Sequence, residues 1–163
     1  MDRLWAPWRM EYIKGPKSEG CIFCDLPDPA GDRERLILRR GKAAYVMMNR
    51  YPYSNGHLMV APYAHLGQIE LIDREVRLEM FDLVDECVRA LKAKFDPQGF
   101  NVGINLGQVA GAGVLDHVHI HVVPRWNGDT NFMTVVGELR VISEHILNTY
   151  DQLVGEFKAG EGN

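Results

Sequence analysis

The residues best equipped for chemistry lie between Asp116 and Pro124, where His117, His119 and His121 alternate with Val118, Ile120 and Val122. A period of two is the pattern of a strand. On a strand the three imidazoles share one face, and the three β-branched side chains share the other. At roughly 3.3 Å of rise per residue the first and third histidines stand about 13 Å apart, too far for one small ion to collect all three. Such a row has three uses: histidines tolerated on a half-exposed strand, a His-x-His metal chelate, or a histidine nucleophile with two helpers. Imidazole suits the last use because much of it is neutral and nucleophilic near neutral pH.

The elements that must hold this row are readable on either side of it. Residues 36–49 suggest two strands turning at Arg40-Gly41-Lys42, the second richer in apolar residues. Residues 57–62 form a further strand broken by Pro62, which delivers His65 just beyond its end. Between them, residues 49–56 are a loop of turn formers at a strand end, where ligand contacts tend to lie. Val76, Met80, Val84, Cys87 or Val88, Leu91 and Phe95 recur every three or four residues, which predicts a helix over 73–95 with Asp73 as its N-cap. Asp96-Pro97-Gln98-Gly99 stops it. Residues 100–106 read as a strand, 107–116 as a glycine-rich loop and 117–124 as the histidine strand. A last helix over about 143–158 carries Ile146, Leu147, Tyr150, Leu153, Val154 and Phe157 on its apolar side, and a frayed tail follows. At the other end, Trp5, Trp8, Met10, Tyr12 and Ile13 form an apolar arm. Four or five short strands with a long helix after the third or fourth argue for an α+β domain, helices packed on a mainly antiparallel sheet.

Composition narrows the classes. With 163 residues and 46% apolar content the chain supports one well-buried core. A net charge of −4 creates no basic field to draw in nucleic acid or an anionic membrane, so neither is expected as a partner. Local groups must hold any anionic ligand. The opening residues lack a secretory apolar run, and no stretch approaches a spanning helix, so a cytoplasmic location is expected. A reducing cytosol disfavours disulfides, which leaves Cys21-x-x-Cys24 as a metal clamp, a packed pair or a redox motif. No thioredoxin-like βαβ pattern surrounds it, which weakens the redox reading. Cys87 falls on the apolar side of the long helix and His145 on the outside of the last one.

The run His117-Val-His119-Ile-His121-Val-Val resembles the His-φ-His-φ-His-φ-φ signature of the histidine triad (HIT) superfamily of nucleotidyl hydrolases and transferases. The likeness extends through Asn49-Arg50-Tyr51-Pro52, Gly56-His57, Pro62-x-x-His65 and Asn105-Leu-Gly107. Leu4-Trp5-Ala6-Pro7-Trp8-Arg9 and Trp126-x-Gly128-Asp129-x-Asn131-Phe132-Met133 are similar to a bacterial branch that includes diadenosine-tetraphosphate phosphorylases. The resemblance implies a HIT-like α+β fold with a five-stranded, mainly antiparallel sheet, one long helix and one C-terminal helix. Residues 1–20 would be an arm, 21–140 the HIT domain, and 141–163 the C-terminal helix and tail of a single domain overall. A homodimer with joined sheets is also implied.

By the same resemblance the chain is an enzyme in which His119 attacks the α-phosphorus of an adenine nucleotide. A covalent nucleotidyl-histidine forms, and water or orthophosphate then releases the nucleotide. His119 needs one ring nitrogen free, so its other must hold a proton against a nearby acceptor, such as a main-chain carbonyl. His121 would contact the phosphate oxygens or the scissile bridge, with His57 as a fourth histidine near the nucleotide. Asn49 matches a ribose contact, Asn105 a polar residue near the phosphates, and the backbone of the Gly111, Gly113 and Val114 loop a phosphate cradle. Family hydrolases often carry Gln or Ser just before the triad. Here Gly113 and Val114 supply no side-chain donor, which fits the phosphorylase-like branch better than the phosphoramidase branch. Cys21, Cys24, His65 and His117 match a set that holds structural zinc in some relatives. The expected reaction is cleavage of adenine dinucleoside polyphosphates, diadenosine tetraphosphate by phosphorolysis, with AMP-like nucleotides as ligands. A Hint-type phosphoramidate hydrolase and a nucleotide-binding interaction module with weak catalysis are the alternatives.

Overall fold

In the computed structural model, which describes residues 20–129 and 144–159, the apolar periodicities become five strands and three helices. The tryptophan-rich arm, and Asn131, Phe132 and Met133 of the trailing motif, lie outside the described residues. A single turn, α1 (Asp32–Arg35), leads to β1 (Ile37–Arg40) and β2 (Ala44–Met48). Then come β3 (Leu58–Pro62), the long α2 (Arg74–Phe95), β4 (Gly99–Ile104), β5 (Ile120–Arg125) and α3 (Ile146–Ala159). The sheet order is β1-β2-β3-β5-β4, and every neighbouring pair is antiparallel. The histidine strand β5 is thus gripped on both sides. Among the described residues no helix is long and apolar enough to cross a membrane.

Strand alternation divides the apolar residues between two faces. One face presents Val46, Leu58, Val60, Ile120 and Val122 to Met80, Leu83, Val84, Cys87 and Leu91 of α2 and to Tyr150, Leu153 and Phe157 of α3. Each such side chain, taken fully out of water, contributes about 1.5–3 kcal/mol. Among the described residues no helix lies over the opposite face. Phe23, Ile37, Tyr45, Met59 and Ala61 form a smaller core there, with Ile22, Leu26, Met47 and Val114 half-buried at its margin. The pairings Ile37 with Met47, Met47 with Met59 and Met59 with His121 run across this face, so His121 continues the row.

Four local expectations change. Asp73 occupies the N-cap position of α2, but its side chain makes no capping bond; its main-chain carbonyl takes the Arg77 N–H at 3.0 Å. α3 starts at Ile146, with His145 at its N-cap: His145 Nδ1 accepts the Leu147 N–H at 3.3 Å and its carbonyl the Asn148 N–H at 2.9 Å. Pro62 ends β3 rather than breaking it, and sits opposite Ala44 at the last rung. β5 begins at Ile120, since Val118 N–H leaves the ladder for the Leu66 carbonyl at 2.7 Å.

That last contact needs close approach of two backbones. A Cβ on Gly67 would lie 2.8 Å from the Leu115 carbonyl oxygen and 3.0 Å from Asp116 Cα. Gly67→Ala is therefore expected to lower stability by about 1–3 kcal/mol and to reduce turnover by shifting the entry to the histidines. Gly155→Ala, whose Cβ meets nothing within 4 Å on α3, should raise stability by about 0.5–1 kcal/mol. Urea denaturation of the two variants checks both signs.

Candidate active site

β5 and the three residues before it place the histidines along the helix-free face, but not as an exposed row. His117 and His57 are fully buried, and His119 is 5% exposed. Among the described residues every buried side-chain nitrogen and oxygen has a hydrogen-bond partner, and those partners set the tautomers. His119 Nδ1–H donates to the carbonyl of His117 at 2.9 Å. Its Nε2 then keeps a lone pair. Burial holds the ring below the usual imidazole pKa, although the bond to the carbonyl favours the charged form. The Phe23 ring lies 4.6 Å from the His119 ring, centroid to centroid.

A second chain of bonds orients His121. The Tyr53 N–H donates to His57 Nδ1 at 3.1 Å, so neutral His57 carries its proton on Nε2. That nitrogen stands 2.9 Å from His121 Nδ1 and donates to it. Neutral His121 then carries its own proton on Nε2. His57 thereby orients His121. The carboxamide oxygen of Asn49 accepts the Tyr51 N–H at 2.9 Å, and its nitrogen lies 3.4 Å from His57 Nδ1. It braces the loop that holds His57.

The glycine-rich loop is open and exposed. Gly107 and Gly111 take positive φ values of 82° and 85° around a single turn, Gln108–Ala110, a conformation that only glycine adopts without strain. Val114 packs in the smaller core, so near Gly113 only main-chain groups face the site. Asn105 lies just past β4, beside Gly103 and His121.

Cys21, Cys24, His65 and His117 form a separate cluster, their donor atoms all within 4.8 Å of one another. Cys24 N–H bonds back to the Cys21 carbonyl at 3.0 Å, the tight turn of the Cys-x-x-Cys pair. His117 Nε2–H donates to the Pro62 carbonyl at 2.8 Å, which turns the Nδ1 lone pair toward Cys21 Sγ at 3.4 Å and Cys24 Sγ at 3.5 Å. His65 Nδ1 is 3.2 Å from Cys24 Sγ. Partial desolvation, then the hydrogen bond and charge of Cys21, hold the Cys24 thiol above its ordinary pKa. Two soft sulfurs and two imidazoles at these separations suit a tetrahedral metal ion. Cys87, fully buried, has its thiol pushed up by desolvation and packs in the main core; His145 is exposed.

Sequence reasoning missed two features. Tyr53, read as one of several turn formers, sets the tautomer of His57 through its backbone. The shelf of Ile22, Phe23, Leu26 and Met47 beside His119 had no motif of its own; the apolar pair between Cys21 and Cys24 was its one signal.

The family model described as HIT domain matches residues 32–128. The chain is 38% identical to the AP-4-A phosphorylase of Mycobacterium tuberculosis, over 96% of this chain and 85% of that protein. It is 30% identical to the adenosine 5′-monophosphoramidase hnt1 of Schizosaccharomyces pombe, over 66% and 75% respectively. Among solved structures, a zinc-bound histidine triad family protein from Mycobacterium smegmatis superposes with a TM-score of 0.67 at 23% identity, covering 87% of this chain and 96% of that one. One line of descent accounts for the motif, the strand order that presents it and the breadth of these likenesses: the chain belongs to the histidine triad (HIT) family.

Proposed function

We propose that this protein is a nucleotidyltransferase that cleaves diadenosine tetraphosphate with orthophosphate, giving ADP and ATP. The observation that carries the reading is the state of His119, a buried neutral imidazole with its Nδ1 proton tied to a carbonyl and its Nε2 lone pair available beside a proton-bearing His121. The M. tuberculosis relative, an AP-4-A phosphorylase by name, supports the choice of substrate.

In this mechanism the adenine rests on the apolar shelf of Ile22, Leu26 and Met47 that packs on Phe23, and the backbone of Gly113 and Val114 approaches the α-phosphate. Asn105 closes the site on the β4 side. His119 Nε2 attacks the α-phosphorus as its bond to the bridging oxygen breaks, and that oxygen leaves as the terminal phosphate oxygen of ATP, its developing charge met by a hydrogen bond from His121 Nε2–H. An orthophosphate oxygen then attacks the same phosphorus, the phosphorus–Nε2 bond breaks, and ADP departs with His119 neutral again. Burial and the fixed tautomers supply preorganisation, so little reorientation is needed as charge develops.

Zinc belongs to the same reading as a structural ion held by Cys21, Cys24, His65 and His117. Bound there it would crosslink the residue 21–24 turn to the segments after β3 and before β5, leaving chemistry to His119 and His121. The reducing cytoplasm, where the reading puts the protein, keeps both thiols available as ligands. Residues 21–140 serve as the HIT domain and 141–163 as its C-terminal extension; the packing of α3 into the main core supports treating them as one domain. The protein acts as a homodimer through the outer edge of β4, which among the described residues pairs with β5 alone. Val102 and Leu106, 46% and 45% exposed, lie along that edge.

A phosphoramidate hydrolase is the second reading, favoured by the likeness to the S. pombe monophosphoramidase. The absence of a side-chain donor at Gly113 and Val114 favours the first. Incubation with diadenosine tetraphosphate separates them: ADP plus ATP formed only with orthophosphate supports phosphorolysis, and no turnover with hydrolysis of adenosine 5′-phosphoramidate supports the alternative. His119→Ala should lower kcat by about 10³-fold or more while AMP still binds by calorimetry; an unchanged phenotype of this variant in the cell would support a binding module instead. Atomic absorption should find one zinc per chain in wild type and little in Cys24→Ser. Chelation should lower Tm and turnover together, whereas loss of turnover at constant Tm would mark a catalytic metal.

A further inference from the structure

The shelf that takes the nucleoside lies on one side of His119. On the other side, a groove of about 290 Å³ runs outward between Tyr53, His121, Arg125 and the helix-free face of β4. The β4–β5 register sets Gly103 opposite His121 and Asn101 opposite Val123. β4 therefore turns Asn101 and Gly103 to the groove, with Asn105 following, while Phe100 and Ile104 pack against the main core. Gly103 is not required by packing, since a Cβ there would meet nothing within 4 Å. Its backbone is ordinary strand too; it is absent from the positive-φ glycines. Empty space beside His121 is what this glycine provides.

The groove also carries a fixed cation. Arg125 donates from Nε and Nη2 to the Asp129 carboxylate and from Nη1 to Asn101 Oδ1 at 2.8 Å. Three of the five guanidinium N–H groups are thereby used, and the other two have no acceptor among the described residues. With its oxygen turned to Arg125, Asn101 keeps its NH₂ as a donor. Amide and guanidinium N–H groups around an open channel are the equipment for phosphate oxygens. Asp129 offsets much of the Arg125 charge, so the channel orients a phosphate chain without holding it tightly.

We infer that this groove is the subsite for the leaving polyphosphate and for the orthophosphate that replaces it. The inference rests on the reading that His119 carries the nucleotide. In two displacements at one phosphorus the acceptor enters where the leaving group departed, so one set of donors serves both. In the first step the phosphorus–oxygen bond breaks and the chain leaves as an anion along Gly103 and Asn101, hydrogen-bonded by His121 Nε2–H. In the second, orthophosphate held by the same groups competes with water for the nucleotidyl-histidine, because its effective concentration there is raised. The groove thus selects phosphorolysis over hydrolysis.

Two variants test this, Gly103→Val to fill the channel and Arg125→Gln to remove the cation. Inorganic tripolyphosphate and AMP are titrated separately into each by calorimetry, after thermal melts verify folding. The Kd for tripolyphosphate should rise about fivefold or more relative to that for AMP. With diadenosine tetraphosphate and orthophosphate, the product ratio should move from ADP toward AMP in both variants. A tripolyphosphate Kd within about twofold of wild type in both variants, or equal losses for tripolyphosphate and AMP, overturns the subsite. If wild type leaves diadenosine tetraphosphate intact, the proposed reaction fails, and the tripolyphosphate titration still decides the groove.

Discussion

The carbonyl of His117 can accept the ring of His119 only because it stands outside the ladder of the sheet. A carbonyl engaged by β3 would have no geometry left for an imidazole two residues along its own chain. The sheet therefore releases the chain before Ile120, and the freed groups find other partners. Val118 N–H goes to Leu66, the His117 ring to Pro62, and the His117 carbonyl to His119. The first two partners lie at or just past the end of β3. Pro62, which has no N–H of its own to satisfy, and Gly67, which has no side chain in the way, are the residues that make this crossing fit.

From that constraint follows a division of labour along three adjacent histidines. His117 faces the cysteines with one nitrogen and a carbonyl with the other, so both its nitrogens have structural employment. His119 spends one nitrogen on orientation and keeps one for chemistry. His121, first of the three inside the strand, takes its orientation from across the sheet through His57 and the Tyr53 amide. Burying neutral imidazoles is tolerable because their hydrogen bonds are made; burial also disfavours the charged ring, which keeps His119 nucleophilic. Protein packing and chemical readiness are here the same free-energy term.

Periodicity made most of the fold legible. The six apolar positions assigned to the long helix lie within α2, and the alternation of Val118, Ile120 and Val122 against the histidines correctly split two faces, all three reaching the main core. The Cys-x-x-Cys pair with two distant histidines was legible as a ligand set, and the coordinates bring all four together. Other features depend on groups that every residue shares. The start of β5 is set by which carbonyl Val118 finds, and the tautomer of His57 by the amide of Tyr53. Neither leaves a mark in side-chain pattern. Asn49 and His57 were read as ligand contacts from the resemblance, and the structure adds what pattern did not carry: Asn49 is bonded to the Tyr51 amide and His57 to His121. Gly103 was invisible for the opposite reason: an open space has no composition.

The loop before the triad then bears on how the reaction is divided around the phosphorus. Val114 has its side chain in the smaller core and Gly113 has none, so the loop offers backbone donors to the nucleotide and no hydroxyl or amide to the departing oxygen. Charge that develops on that oxygen must be met from elsewhere. The groups on the far side are the His121 Nε2 proton, the amides of Asn101 and Asn105, and the guanidinium of Arg125. An active site built this way suits a leaving group that is already a stable polyphosphate anion and needs little protonation, and it serves poorly for an amine, whose departure depends on a delivered proton. In the proposed reaction, Gly113 and Val114 before the triad and the donors gathered along β4 act as two halves of one preference, for cleaving a phosphoanhydride and handing the nucleotide to a phosphate.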